Sequence, residues 1–91
     1  EIRFFKTDSF IYISAIKNQK LQLVNRFEIE GLDDVLYYIL SVIKESGLIN
    51  QSFDIIEIGT KDGEIESKLK SIFSSKLSEF YHQKPIKLKP L

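Results

Sequence analysis

The hydrophobic period of this chain changes at Gly31, and few folds accommodate the change. Before that residue apolar side chains recur at about every second position; in the stretch from Gly31 to Gly47 they recur at every third or fourth. Alternation belongs to strands with one face on a core, and the longer period to helices with one buried stripe. The strand side is clearest from Lys20 to Glu30. There Leu21, Leu23, Phe27 and Ile29 share a face with Asn25, while Gln22, Arg26, Glu28 and Glu30 take the other. A β-branched and aromatic run, Phe10 to Ile16, precedes it, and Lys17-Asn18-Gln19-Lys20 separates the two. This break predicts a tight hairpin with Asn18 at positive φ, because two-residue loops that match strand twist need left-handed residues. Ile2 to Lys6 reads as a further short strand.

Beyond Gly31, the residues Leu32, Val35, Leu36, Ile39, Leu40 and Ile43 form one helical stripe. Asp33 and Asp34 near its start and Lys44 near its end match the helix dipole. Gly47 supplies a left-handed stop, with Leu48 placed for the apolar contact that accompanies such a stop. Tyr37, Tyr38 and Val42 spread apolar character past the stripe, so this helix is expected to be covered on more than one side. Phe53 to Ile58 reads as a buried strand ending at Gly59, and Thr60 to Gly63 as a loop. A second helix is expected from Glu64, carrying Ile65, Leu69, Ile72, Phe73, Leu77 and Phe80. Pro85 then stops it, and Ile86–Leu88 is expected as the last strand. The order β-β-β-α-β-α-β predicts an α/β lobe with a mixed sheet and an N-terminal antiparallel hairpin. This topology resembles the ribonuclease H-like fold, the repeated half of actin-like ATPases.

Composition removes several functions. Ninety-one residues suit one domain. The absence of cysteine excludes disulfide frameworks, thiolate zinc sites and thiol nucleophiles within the sequence. Thirteen basic residues balance thirteen acidic ones, which disfavours indiscriminate nucleic-acid binding. No apolar run is long enough to span a membrane. The chain opens at Glu1 and contains no methionine, so it reads as a fragment, a matured chain or a piece of something longer.

The segment KLQLVNRFEIEGLDDVLYYILSVIKESGL, Lys20 to Leu48, carries Asn25 and Phe27 at a strand end, Asp33 and Asp34 after a polar break, and Leu36-Tyr37-Tyr38 on the helix. IEIGTKDGE, Ile56 to Glu64, follows as a strand running into a glycine–acidic loop. Together these resemble an uncharacterised bacterial family whose fold looks like a degenerate actin-like ATPase. The resemblance implies an intracellular, cytoplasmic protein of unknown function and one half of a two-lobed molecule, with residues 1–91 as a single lobe of it. It supplies no catalytic residue.

Phosphate binding in actin-like ATPases uses glycine-rich hairpins with a nearby aspartate. The hairpin Lys17–Lys20 has no glycine. The junction containing Gly59, Thr60, Asp62 and Gly63 is the candidate nucleotide or anion loop, because a helix N-terminus can present N–H groups to an anion. Asp62, Glu64 and Glu66 already occupy that positive end, and a turn with Thr60 or Asp62 as N-cap explains it more simply. Two-metal nuclease chemistry needs converging carboxylates. Glu28, Glu30, Asp54, Glu57 and Asp8 are available, but the first helix offers no acid on its buried face. His82 reads as a capping or surface histidine near a helix end. Lys84, Lys87 and Lys89 read as edge protection rather than a nucleic-acid patch. No cofactor and no metal site is legible. Tyr37, Tyr38 and Val42 are the candidate interface, to a protein partner, a second lobe of the same chain or another copy. The sequence therefore points to a non-catalytic protein-interaction module derived from an actin-like lobe. The alternative is an active ATPase lobe whose phosphate-binding motifs lie elsewhere in the protein.

Overall fold

The alternation of the first thirty residues becomes a three-stranded antiparallel meander. In the computed structural model, which describes residues 1–84, β1 (Ile2–Lys6), β2 (Phe10–Lys17) and β3 (Lys20–Glu28) pair in sequence order. Asn18 and Gln19 turn the hairpin with φ of 54° and 64°, the paired left-handed geometry expected of it. One side chain departs from the alternation. Ile16 faces Leu21 and Ala15 faces Leu23, so Gln22 is an extra residue on β3. That bulge turns Leu21 off the core face, where the sequence reading had placed it, and leaves it 62% exposed.

The first helix, α1 (Leu32–Glu45), ends at Gly47 (φ 80°), and a short 3-10 turn at Leu48–Asn50 buries Leu48 completely. β4 (Phe53–Ile58) then enters beside β1, parallel to it. The second helix, α2 (Gly63–Ile72), leads to β5 (Leu77–Gln83), parallel to β4. The sheet order is β3-β2-β1-β4-β5.

The second helix is shorter than expected. Leu77 and Phe80, three residues apart, fit a helical stripe on paper. In the structure they face Phe53 and Ile55 across a register shift, which lets residues three apart share a strand face. As a strand, this segment also gives β4 a hydrogen-bonding partner on its outer edge, which a continued helix would leave unmatched. The final β of the expected order is thus Leu77–Gln83. The strand expected at Ile86–Leu88 lies outside the described residues.

Both helices pack on one face of the sheet. Ile2, Phe4, Ile11, Ile13, Ala15 and Ile55 meet Val35, Ile39, Val42 and Ile43 of α1 and Ile65 and Leu69 of α2 in one core. Val42 belongs to this core and is completely buried, so it is not available as an interface residue. It stands seven residues after Val35 and three after Ile39, which places it on the buried stripe. Tyr38 is half-buried with its ring stacked on Phe27, centroids 4.2 Å apart. Tyr37 alone of the three is exposed, at 64%. From the opposite face of the sheet project Phe5, Tyr12, Val24 and Tyr81, which no described element covers. No helix among the described residues is long and apolar enough to cross a membrane.

Candidate functional site

Sheet order locates the one position where the chain departs in two directions. It leaves β1 toward β2 on one side and β4 toward β5 on the other, while β1 and β4 lie side by side and parallel. In open α/β sheets the crevice beyond the carboxyl ends of such a strand pair is the usual ligand position. Here it is a crevice of about 180 Å³ between the start of α1 and the start of α2. Lys6, Thr7 and Asp8 line it from the end of β1, Glu30 and Gly31 from the approach to α1, and Asp62 and Glu64 from α2.

Four carboxylates and one ammonium thus share the opening, and the ammonium is engaged: Lys6 Nζ lies 3.6 Å from Asp62 Oδ2. The α2 N-terminus is capped from within the chain. Asp62 Oδ1 accepts the amides of Glu64 (3.0 Å) and Ile65 (3.3 Å), as N-cap aspartates do. On the α1 side, Asp34 reaches back to accept the amide of Glu30 at 2.7 Å. α1 itself begins at Gly31 without a side-chain cap, and its first turn carries Asp33 and Asp34. An anion entering here meets carboxylates at both helix ends.

The glycines of the candidate loop have other work. Gly59 (φ 97°) adopts a backbone that L residues rarely reach, and a Cβ there would stand 3.1 Å from the Phe5 ring. Its amide bonds the carbonyl of Gln83. Gly63 opens α2 with open space around it, and Thr60 is exposed. Of the four loop residues only Asp62 lines the crevice. The Lys17–Lys20 hairpin lies at the far end of the sheet, beside the start of β1. The turn that does face the crevice is Thr7-Asp8-Ser9, where Thr7 Oγ1 accepts the amides of Ser9 and Phe10. It too contains no glycine.

Beneath the α2 cap lies a second cluster that sequence reasoning missed. Glu57 projects from β4 into the core side and its side chain is only 2% exposed. Both of its oxygens lie 3.3 Å from the Asp62 amide, which donates to them. Burial raises its carboxyl above the usual range, opposed by the Asp62 amide and by His82. His82 sits in β5 rather than at a helix end, opposite Glu57 in the register, and bridges Glu57 to Glu66 of α2. Lys70, 2.6 Å from Glu66, holds that carboxyl below its usual range, with His82 assisting. The cluster was hidden because the pairing of β5 beside β4 brings His82 to Glu57, and the sequence reading placed that segment in a helix. No group of residues suited to hold a metal ion occurs among the described residues.

The architecture has a solved counterpart. A protein from Bacteroides thetaiotaomicron with an actin-like ATPase fold and unknown function superposes with a TM-score of 0.69 at 22% identity. The match covers 88% of this chain and 31% of the other, so the chain spans about a third of that structure's length. At this identity the likeness establishes the fold: a ribonuclease H-like, actin-like lobe. No functionally curated protein matches the chain. Residues 5–82, nearly the whole of the five-stranded unit, match the family described as protein of unknown function (DUF3822), and the chain belongs to that family.

Proposed function

We propose that this domain is a non-catalytic interaction lobe, an actin-like half that has kept the scaffold without the phosphate chemistry. The observation that carries this reading is the carboxylate lining of the crevice between β1 and β4. A nucleotide phosphate brought there would face Asp8, Glu30, Asp62 and Glu64 with Lys6 already paired. The turn and the helix start that could have cradled it hold their own side chains instead.

The work of such a lobe falls to its surfaces. Phe5, Tyr12, Val24 and Tyr81 give the uncovered sheet face an apolar character that isolated surface residues do not produce. The occupant we assign to that face is a second lobe of the same polypeptide, because the solved counterpart is about three times as long as the matched region.

Isothermal calorimetry with ATP and magnesium on the longest natural form of the protein tests the reading. No saturable heat from a folded sample is expected. Saturable micromolar binding that is lost when Lys6 is replaced by alanine would place nucleotide in this crevice and sink the proposal.

A further inference from the structure

His82 stands between two carboxylates. Its Nδ1 lies 2.9 Å from Oε1 of Glu57, and its Nε2 lies 2.7 Å from Oε1 of Glu66. A neutral imidazole has one N–H and one lone pair, so it can donate to only one of these oxygens. Both contacts are favourable together only when the ring carries two protons or a carboxyl carries one in its place. The three side chains come from β4, α2 and β5, so a single proton governs whether the three elements are tied together. We propose that the Glu57–His82–Glu66 bridge is a proton-operated latch fastening α2 to the outer strands of the sheet, opening on the Glu66 side as the ring loses its second proton.

The two carboxylates are not equivalent, and the difference fixes which contact opens. Glu57 is buried and already receives the Asp62 amide, so it has no route to water. Glu66 is more accessible, with 18% of its side chain exposed, and has Lys70 at 2.6 Å as a second partner. When one ring proton leaves, Glu66 can turn to Lys70 and solvent at little cost, whereas Glu57 cannot move. The remaining proton therefore stays on Nδ1. Other groups around the bridge bias it without replacing it. They are Asp62 at the α2 cap with Lys6 of β1 behind it, Lys70 on α2, and the apolar ring of Phe80 5.3 Å from the imidazole on β5. The latch reaches the crevice through Glu57, which holds the Asp62 amide while Asp62 lines the opening. This inference goes beyond the interaction reading and does not depend on it.

His82 is the only histidine in the sequence, so its ring nitrogens give unambiguous 15N resonances. Titrating the intact protein should reveal a neutral ring with its proton on Nδ1. Across the same step, amide protection, taken relative to the intrinsic exchange rate at each pH, should fall in Glu66–Lys70 and Phe80–Gln83. In Glu66→Gln the pH-dependent loss of protection should disappear. A neutral ring protonated on Nε2, or a protection profile unchanged in Glu66→Gln, would overturn the latch. Circular dichroism is the check that the Glu66→Gln variant is folded, so the outcome does not hang on replacing the buried Glu57.

Discussion

Phe4 and Phe5 are neighbours in one strand, identical in chemistry, and they experience different molecules. Phe4 points beneath the helices and is 1% exposed; Phe5 points to the uncovered face and is 36% exposed. The same division runs across the sheet. On one side Ile11, Ile13 and Ile55 are sealed against α1 and α2, and on the other Tyr12, Val24 and Tyr81 meet solvent. An antiparallel sheet can carry one wet face, but the strands β1, β4 and β5 run parallel, and parallel strands are ordinarily covered twice. The covered face thus accounts for the stability of the lobe, and the uncovered face is the one to which we assign a second lobe as occupant.

The largest expected effect separates the two phenylalanines. Phe4→Ala should cost about 3–5 kcal/mol in denaturant unfolding, the range for truncating a buried aromatic. Phe5→Ala should cost about 1 kcal/mol, mostly from its contact over Gly59. Equal losses for the two would erase the distinction between the faces. Next in size, Asp62→Ala removes the α2 N-cap and the Lys6 pair, and should cost about 1–2 kcal/mol by the same measurement. A loss below the noise of unfolding curves would show that Glu64 or Glu66 takes over the cap.

The pH dependence follows from the two glutamates with opposite displacements. Glu57 binds its proton more tightly in the folded state than in the unfolded chain. Its contribution is therefore greatest below its ordinary range and declines as pH rises through its raised folded value. Glu66 behaves in reverse: its contribution is present above the ordinary carboxylate range and fades as pH falls through its lowered value. Thermal midpoints followed against pH should accordingly show wild type losing stability relative to Glu57→Gln as pH rises. Wild type gaining on the variant would reverse the assignment of burial as the dominant cause. The smallest effect belongs to the open face, where Val24→Lys should change stability by no more than about 0.5 kcal/mol. A large loss there in a longer natural form, and not in residues 1–91 alone, would identify Val24 as covered by the rest of the protein.

Much of this lobe can be read from the order of its residues, and the failures have identifiable causes. The hairpin at Asn18-Gln19, the stop at Gly47 and the strand Phe53–Ile58 all stand where local chemistry put them. Leu21 and Leu77 were misread for one reason: a register irregularity changes the face of every residue beyond it, and nothing local announces it. Val42 was misjudged by counting apolar residues around the helix instead of following its stripe from Val35. The crevice depends on which strands become neighbours. Lys6, Asp8 and Glu30 are distant along the chain from Asp62, and only the placement of β4 beside β1 unites them. His82 was least legible, because its partners Glu57 and Glu66 are chosen by the pairing of β5, a segment the periodicity assigned to a helix.

The edge formed by β3 has a consequence for the way the molecule behaves in a crowded solution. Its bulge at Gln22 bends the outermost strand, Asn25 Oδ1 occupies the amide of Arg26 at 2.8 Å, and Lys20 and Arg26 place charge along the rim. A free strand edge is a template onto which another chain can add, and these are the features that blunt one. A protein with an apolar sheet face has most to lose from lateral growth into fibres. β3 keeps that face from being extended strand by strand, so that association is left to surfaces with shape rather than to bare backbone.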